Sequence, residues 1–189
     1  PSAQESIGEE DGTLGSDVYE AQPEVFEKIE KPQLSTATIA ERAAYYGSKV
    51  PSADAEYRYR TRLTKGELEK FFELMAESEE DLEALLFTKE GLTPAGEELF
   101  EALVRSEDEG LLPGFYHVGR IYNLLESGDL KKHKSELVEL LAGGGLSYLR
   151  DLTAGMPEMK RADREWLLEG RKVNVVTALR SALISEESG

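Results

Sequence analysis

The chain has 189 residues, with 38 Asp and Glu against 22 Lys and Arg, a formal net charge of −16 and no cysteine. This excess of acid argues against nucleic acid as a partner, because phosphate binding draws its affinity from clustered Lys and Arg. The missing cysteine excludes disulfides, thiolate nucleophiles and cysteine-ligated metal sites, and no apolar run approaches the roughly 18 residues that a transmembrane segment needs.

Residues 1–34 are predicted to form an extended acidic N-terminal strap. They contain nine acidic residues and two lysines, and too few apolar side chains to offset the entropy lost on ordering. We therefore expect the strap to be disordered when alone and to bind neighbouring proteins through sparse apolar anchors. The anchors assigned to partner binding are Val18, Tyr19, Val25, Phe26 and Ile29.

The chain begins at Pro1 without a methionine. This start fits removal of a targeting peptide as well as a trimmed chain. An organellar location, in a plastid or a mitochondrion, is the expectation over a cytoplasmic one.

Residues 35–63 are predicted to form a short helix followed by an extended connector. The stretch STATIAERAAYYG offers Ser35 or Thr36 as the N-cap and Gly47 as the stop. The connector contains Pro51 and has no helical period.

The connector ends in a strip of alternating tyrosine and arginine. If the strip is extended, Arg58, Arg60 and Arg62 lie on one side, with Tyr57 and Tyr59 on the other. Arginine pairs with carboxylates in a bidentate manner, and both residue types are enriched at the centres of protein interfaces. The strip is therefore predicted to bind a partner protein, and internal bracing against glutamates of the next helix remains the alternative.

Residues 64–189 are predicted to form a helical domain. Its helix starts carry caps or an opening proline, and apolar residues recur at helical spacing with no strand pattern. The fold class is therefore all-α, an irregular bundle of seven or eight short helices. The predicted helix starts are Thr64 with Glu67, Ser78 with Asp81, Thr93 with Pro94, Pro113 and Asp129. Further helices are predicted over about 157–170 and 172–184. Gly128 is predicted to be a C-cap, and Gly143, Gly144 and Gly145 are predicted to form a flexible joint between helices.

Residues that carry chemistry elsewhere are interpreted here as structural. Neither His117 nor His133 has the partner spacing of a metal motif. His117 is predicted to be a packed structural histidine, and His133, among three lysines, to lie on the solvated surface. Acidic runs such as 107–109 are predicted to be solvated helix faces. No cofactor and no metal site is predicted.

The function that these features favour is that of a non-catalytic accessory or linker subunit, which binds protein subunits and stabilises a larger assembly. An organellar bioenergetic complex, such as a photosystem–antenna supercomplex, is the specific hypothesis, with the chain peripheral to the membrane complex. A soluble regulatory or effector-type module that acts transiently on a protein target is the alternative. An enzyme is not predicted, because no set of nucleophile, base and oxyanion donors is apparent.

Overall fold

The architecture is an all-α bundle, as predicted. The computed structural model describes residues 31–33, 36–57, 63, 66–77, 81–154 and 173–186. Within these ranges the one β-type pairing is an isolated antiparallel bridge between Phe87 and Leu92. The described helices are α1 (Ile39–Gly47), α2 (Glu67–Glu77), α3 (Leu82–Leu86), α4 (Pro94–Arg105), α5 (Val118–Glu126), α6 (Leu130–Ala154) and α7 (Val175–Glu186), with 3₁₀ helices at Ser106–Glu109 and Pro113–Tyr116.

Two helices begin at the caps that the sequence indicated. The Thr93 hydroxyl accepts a hydrogen bond from the Gly96 amide at 3.1 Å, and Pro94 occupies the first helical position of α4. The Asp129 carboxylate accepts one from the Lys132 amide at 3.1 Å, at the start of α6. Both caps satisfy amides that have no partner within the helix, and both predictions are confirmed.

The start of α1 differs from the prediction. Its N-cap is Thr38, not Ser35 or Thr36, and a capping box links Thr38 to Glu41. The Thr38 amide donates to the Glu41 carboxylate at 2.7 Å, and the Glu41 amide donates to the Thr38 hydroxyl at 3.2 Å. Thr38 forms the N-cap because, unlike Ser35 and Thr36, it is followed three residues later by a glutamate. The predicted stop at Gly47 is confirmed.

Two further predicted helix boundaries, at Asp81 and Gly128, lie within the described residues, and others do not. Helix α3 is capped by Asp81, whose carboxylate accepts from the Glu83 amide at 3.0 Å. Gly128 follows α5 with a φ of 75°, the left-handed conformation of a helix terminator. The predicted cap residues Thr64 and Ser78 and the predicted helix 157–170 lie outside the described residues.

The predicted joint at the glycine triplet is wrong, because residues 143–145 lie inside the continuous helix α6. A Cβ atom added at Gly144 would lie 2.8 Å from the Tyr116 carbonyl oxygen and 3.0 Å from the Leu103 Cδ1. Gly144 therefore allows Tyr116 and Leu103 to approach α6 closely. Glycine costs about 1 kcal/mol relative to alanine in a helix, and this close packing is the compensation.

Helix α6 lies at the centre of the core. Its buried face contacts α4, α5 and α7 as well as the 3₁₀ helix before α5. Leu179 and Leu183 of α7 close one side of the core. The largest fully buried side chains are Phe71, Met75, Leu86, Leu103, Val104, Tyr116, Ile121, Leu124, Leu137, Leu140, Leu141 and Leu146.

Candidate protein-contact site

A buried arginine on α5 fixes the connector that leads to the predicted strip. The Arg120 side chain is 4% exposed. Its Nε and Nη2 donate to the two carboxylate oxygens of Glu136 at 2.8 and 3.1 Å, and its Nη1 donates to the Ser52 carbonyl at 2.7 Å. This bidentate pair is the strong geometry for arginine and carboxylate. The connector is thereby hydrogen-bonded to the helical body.

Tyr57 is the one member of the predicted strip that the structure describes. Its side chain is half-buried, its ring centroid lies 5.2 Å from the Arg120 guanidinium carbon, and it meets the His117 ring edge-on at 6.4 Å. The strip therefore starts from a fixed point on the body, and its role in partner binding stays a prediction. The other residues predicted to bind partners lie outside the described residues: Arg58, Tyr59, Arg60, Arg62, Val18, Tyr19, Val25, Phe26 and Ile29.

The end of α1 and the start of the connector are also held by α5. The Asn123 amide donates to the carbonyls of Gly47 and Pro51 at 3.1 and 3.0 Å. A Cβ atom at Gly119 would lie only 2.3 Å from the Tyr46 carbonyl oxygen, so the backbones of α1 and α5 are in direct contact. Sequence reasoning missed these positions, and the available signal was an arginine and an asparagine within the apolar stretch of α5.

His117 is a packed structural histidine, as predicted. It precedes α5 with a φ of 62° and is 7% exposed. Burial, which disfavours the charged imidazolium, lowers the pKa of His117 to about 4. At neutral pH the side chain is therefore an uncharged packing partner.

The lowered pKa of His117 makes stability depend on pH. Between pH 6.5 and 4 the unfolded chain binds a proton at this residue that the folded chain does not, so acid favours unfolding. Replacing His117 by asparagine, which tolerates positive φ, should remove about 1 to 2 kcal/mol of the stability difference between pH 7 and pH 5. Urea denaturation at the two pH values measures this difference. An unchanged difference in the variant would contradict it.

The prediction for His133 is wrong. It was expected on the solvated surface because lysines flank it, yet it is 6% exposed. His133 and Leu137 are four residues apart on α6 and share its buried face, whereas Lys131 and Lys132 point outward. Helical periodicity, not the charge of sequence neighbours, decides which side chains are buried.

The acidic run at the 3₁₀ helix 106–109 is a contact point and not a merely solvated face, which corrects the prediction. Glu107, whose side chain is 10% exposed, pairs with Lys31 at the end of the predicted strap. Asp108 pairs with Arg42 of α1, with N–O distances of 2.9 and 3.0 Å. The hydrogen bond from Arg42 holds the pKa of the Asp108 carboxyl below its usual range. The acidic turn therefore ties the N-terminal segments to the body.

The described part of the chain offers no group of three or more His, Cys, Asp or Glu side chains arranged to hold a metal ion. None of the helices described there has the combined length and hydropathy needed to cross a bilayer.

Comparison with known proteins identifies one family. A family model described as Scaffold domain matches residues 78–188, more than half of the chain and all of α3 to α7. No curated protein and no solved structure gave a significant match. A scaffold domain points to a non-catalytic role with protein partners. The chain belongs to the scaffold-domain family.

Proposed function

We propose that this chain is an accessory subunit that links neighbouring proteins and stabilises a larger assembly. The observation that carries the proposal is the scaffold-domain match over residues 78–188. A scaffold acts by binding, which agrees with a body in which Arg120 and Asn123 hold the connector through hydrogen bonds to its carbonyl groups. Its partners are protein subunits.

Two described residues that belong to the predicted contact segments support a bridging role. Lys31, in the predicted strap of residues 1–34, pairs with Glu107 of the body. The Arg/Tyr strip starts at Tyr57, which packs on Arg120. Two binding segments tethered to one body raise the effective concentration of each for its own site. Such an arrangement suits a link between two subunits.

The assembly that we propose is an organellar bioenergetic complex, such as a photosystem with its antenna. A chain without cysteine has no thiol to oxidise beside redox cofactors that generate reactive oxygen. Its acidic composition opposes adsorption to anionic lipid, so attachment to a membrane complex would be through protein subunits. Co-elution of the tagged chain with chlorophyll absorbance on size exclusion supports this choice, and elution apart from all pigment and cytochrome contradicts it.

Replacing Arg58, Arg60 and Arg62 together by glutamine tests the predicted strip. We expect at least an approximately fivefold drop in the fraction of tagged chain that co-elutes with the assembly, because charge-assisted pairs across an interface are lost. We also expect the melting temperature to change by less than about 2 °C, since arginines that face a partner in the assembly would face solvent in the free chain, where charges contribute little to stability. Size exclusion of native extracts and calorimetry of the purified chain measure the two quantities.

The matched control neutralises three exposed lysines of the body, Lys49, Lys89 and Lys131. It changes the net charge by the same amount and should leave co-elution intact. If the arginine variant instead melts at lower temperature and still co-elutes, the strip braces the body and does not bind a partner.

A further inference from the structure

An open apolar groove of about 220 Å³ lies between α4, α6 and α7. Leu179 and Leu183, 2% and 3% exposed, line it from α7, and the half-buried Leu99 lines it from α4. Gly145 lies opposite them, and a Cβ atom there would come within 3.1 Å of Leu99 Cδ1 and 3.2 Å of Leu179 Cδ1. The missing side chain lets Leu99 and Leu179 pack directly on the α6 backbone at the floor of the groove.

The apolar surface continues beyond the groove along α6. Tyr148 and Leu149 line the groove, and Leu152 follows one turn later on the same face. Leu152 is 41% exposed, one of three large apolar side chains with such exposure among the described residues. The exposed Ala182 lies at the opposite edge, on α7. Together these side chains form a strip long enough for several apolar contacts with a partner.

The edge of the groove is acidic. Glu98 is exposed and is the one charged residue that lines the groove among the residues that the structure describes. Glu109 lies beside the groove, where its carboxylate accepts a hydrogen bond from the hydroxyl of the lining residue Tyr148 at 3.2 Å. The exposed Arg105 nearby on α4 already pairs with Glu101 at 3.7 Å. A ligand in the groove therefore meets an apolar floor and a negative rim.

We infer that this groove binds the apolar face of a basic amphipathic helix of a partner subunit. The inference rests on the proposed scaffold function and specifies the chemistry of one partner. Helices bind apolar grooves through side chains at three- and four-residue spacing, and Lys or Arg beside that face would pair with the acidic rim. A second copy of this chain fits less well, because its charge of −16 would face a rim of the same sign.

The test uses the full chain and a fluorescein-labelled helical peptide of leucine and lysine, with all leucines on one face. Fluorescence anisotropy measures its dissociation constant. A scrambled peptide of the same composition has the same charge but no apolar face. We expect the patterned peptide to bind at least about tenfold more tightly than the scrambled one, because only it presents a continuous apolar surface.

Two variants locate the binding site. Ala182→Phe fills the groove edge and should weaken binding about tenfold, whereas Ala76→Phe, at an exposed alanine of α2, should change it less than about twofold. Glu98→Lys reverses the rim charge at an exposed position and should weaken binding about fivefold, against less than about twofold for Glu126→Lys on α5. The charge variants keep the test valid if Ala182→Phe does not fold.

Three results would overturn the inference. The first is that the full chain binds neither peptide. The second is that it binds both peptides equally, and the third is that the groove variants and their controls weaken binding equally. Either of the last two would indicate attraction to the net negative charge of the chain alone. Binding that appears only after removal of residues 1–30 would assign the groove to the chain's own segment and would also overturn it. If any of these results is obtained while the unaltered chain still co-elutes with an assembly in native extract, only the inference about the groove fails and the scaffold function stands. If the unaltered chain does not co-elute with any assembly, the scaffold function itself is refuted.

Discussion

Replacing Arg120 by glutamine is expected to lower the free energy of unfolding by about 2 to 3 kcal/mol. The change removes a bidentate pair with Glu136, a hydrogen bond to the Ser52 carbonyl and the cation beneath the Tyr57 ring. It leaves the partly buried Glu136 without this partner, and that loss of compensation is the main cost. Urea denaturation measures the effect, and amide exchange across residues 50–57 should accelerate as the connector loosens.

Arg105→Gln is the matched control, because it removes the same charge from a surface pair. The Arg105 and Glu101 side chains are 61% and 50% exposed and 3.7 Å apart, so the expected loss is below about 0.5 kcal/mol. Equal losses in the two variants would show that the buried pair does not fix the connector.

Replacing Gly119 by alanine is expected to destabilise the fold by about 2 to 3 kcal/mol. The new Cβ atom would lie 2.3 Å from the Tyr46 carbonyl oxygen and 2.7 Å from its carbon. Both atoms belong to the backbone, so α1 must move away from α5. The intrinsic preference of helices for alanine over glycine, about 1 kcal/mol, would by itself stabilise the variant. A measured loss of stability therefore shows that the clash with the α1 backbone outweighs this preference.

Gly143→Ala provides the comparison at another buried helical glycine. Its nearest neighbour to an added Cβ is Leu63 Cδ1, at 4.0 Å. Here the helix preference should dominate and raise stability by up to about 1 kcal/mol. Thermal unfolding measures the stability of both variants. If both substitutions stabilise the fold, the direct backbone contact between α1 and α5 is contradicted.

Features of the fold that depend on nearby residues could be predicted from the sequence. The caps at Thr93 and Asp129 act on amides three residues away, so their spacing reveals them. The continuity of α6 through Gly144 depends on which elements pack against that helix, and spacing along the chain does not contain that information. The burial of His133 follows from its four-residue spacing to Leu137, and the prediction went wrong because it weighed the flanking lysines instead.

Of the residues that form the candidate site, the sequence analysis predicted Tyr57 and missed Arg120. Tyr57 stood out as part of an alternating pattern, whereas its partner Arg120 is a single arginine in an otherwise apolar stretch. Arg120 acts on Glu136 and Ser52, which are 16 and 68 residues away. Such long-range hydrogen bonds leave no period in the sequence, and the same holds for the contact of Lys31 with Glu107.

Deletion of residues 1–30 tests the linker function most directly. The deletion keeps Lys31 and its contact with the acidic turn, so the helical body should melt within about 3 °C of the full chain. Size exclusion of native extracts then measures the fraction of tagged chain that co-elutes with the assembly. A linker that binds through its strap predicts at least an approximately fivefold fall in that fraction. Unchanged co-elution of the truncated chain, with function abolished by a substitution of His117 or His133 that leaves the melting temperature unchanged, would contradict the linker function and favour an enzyme.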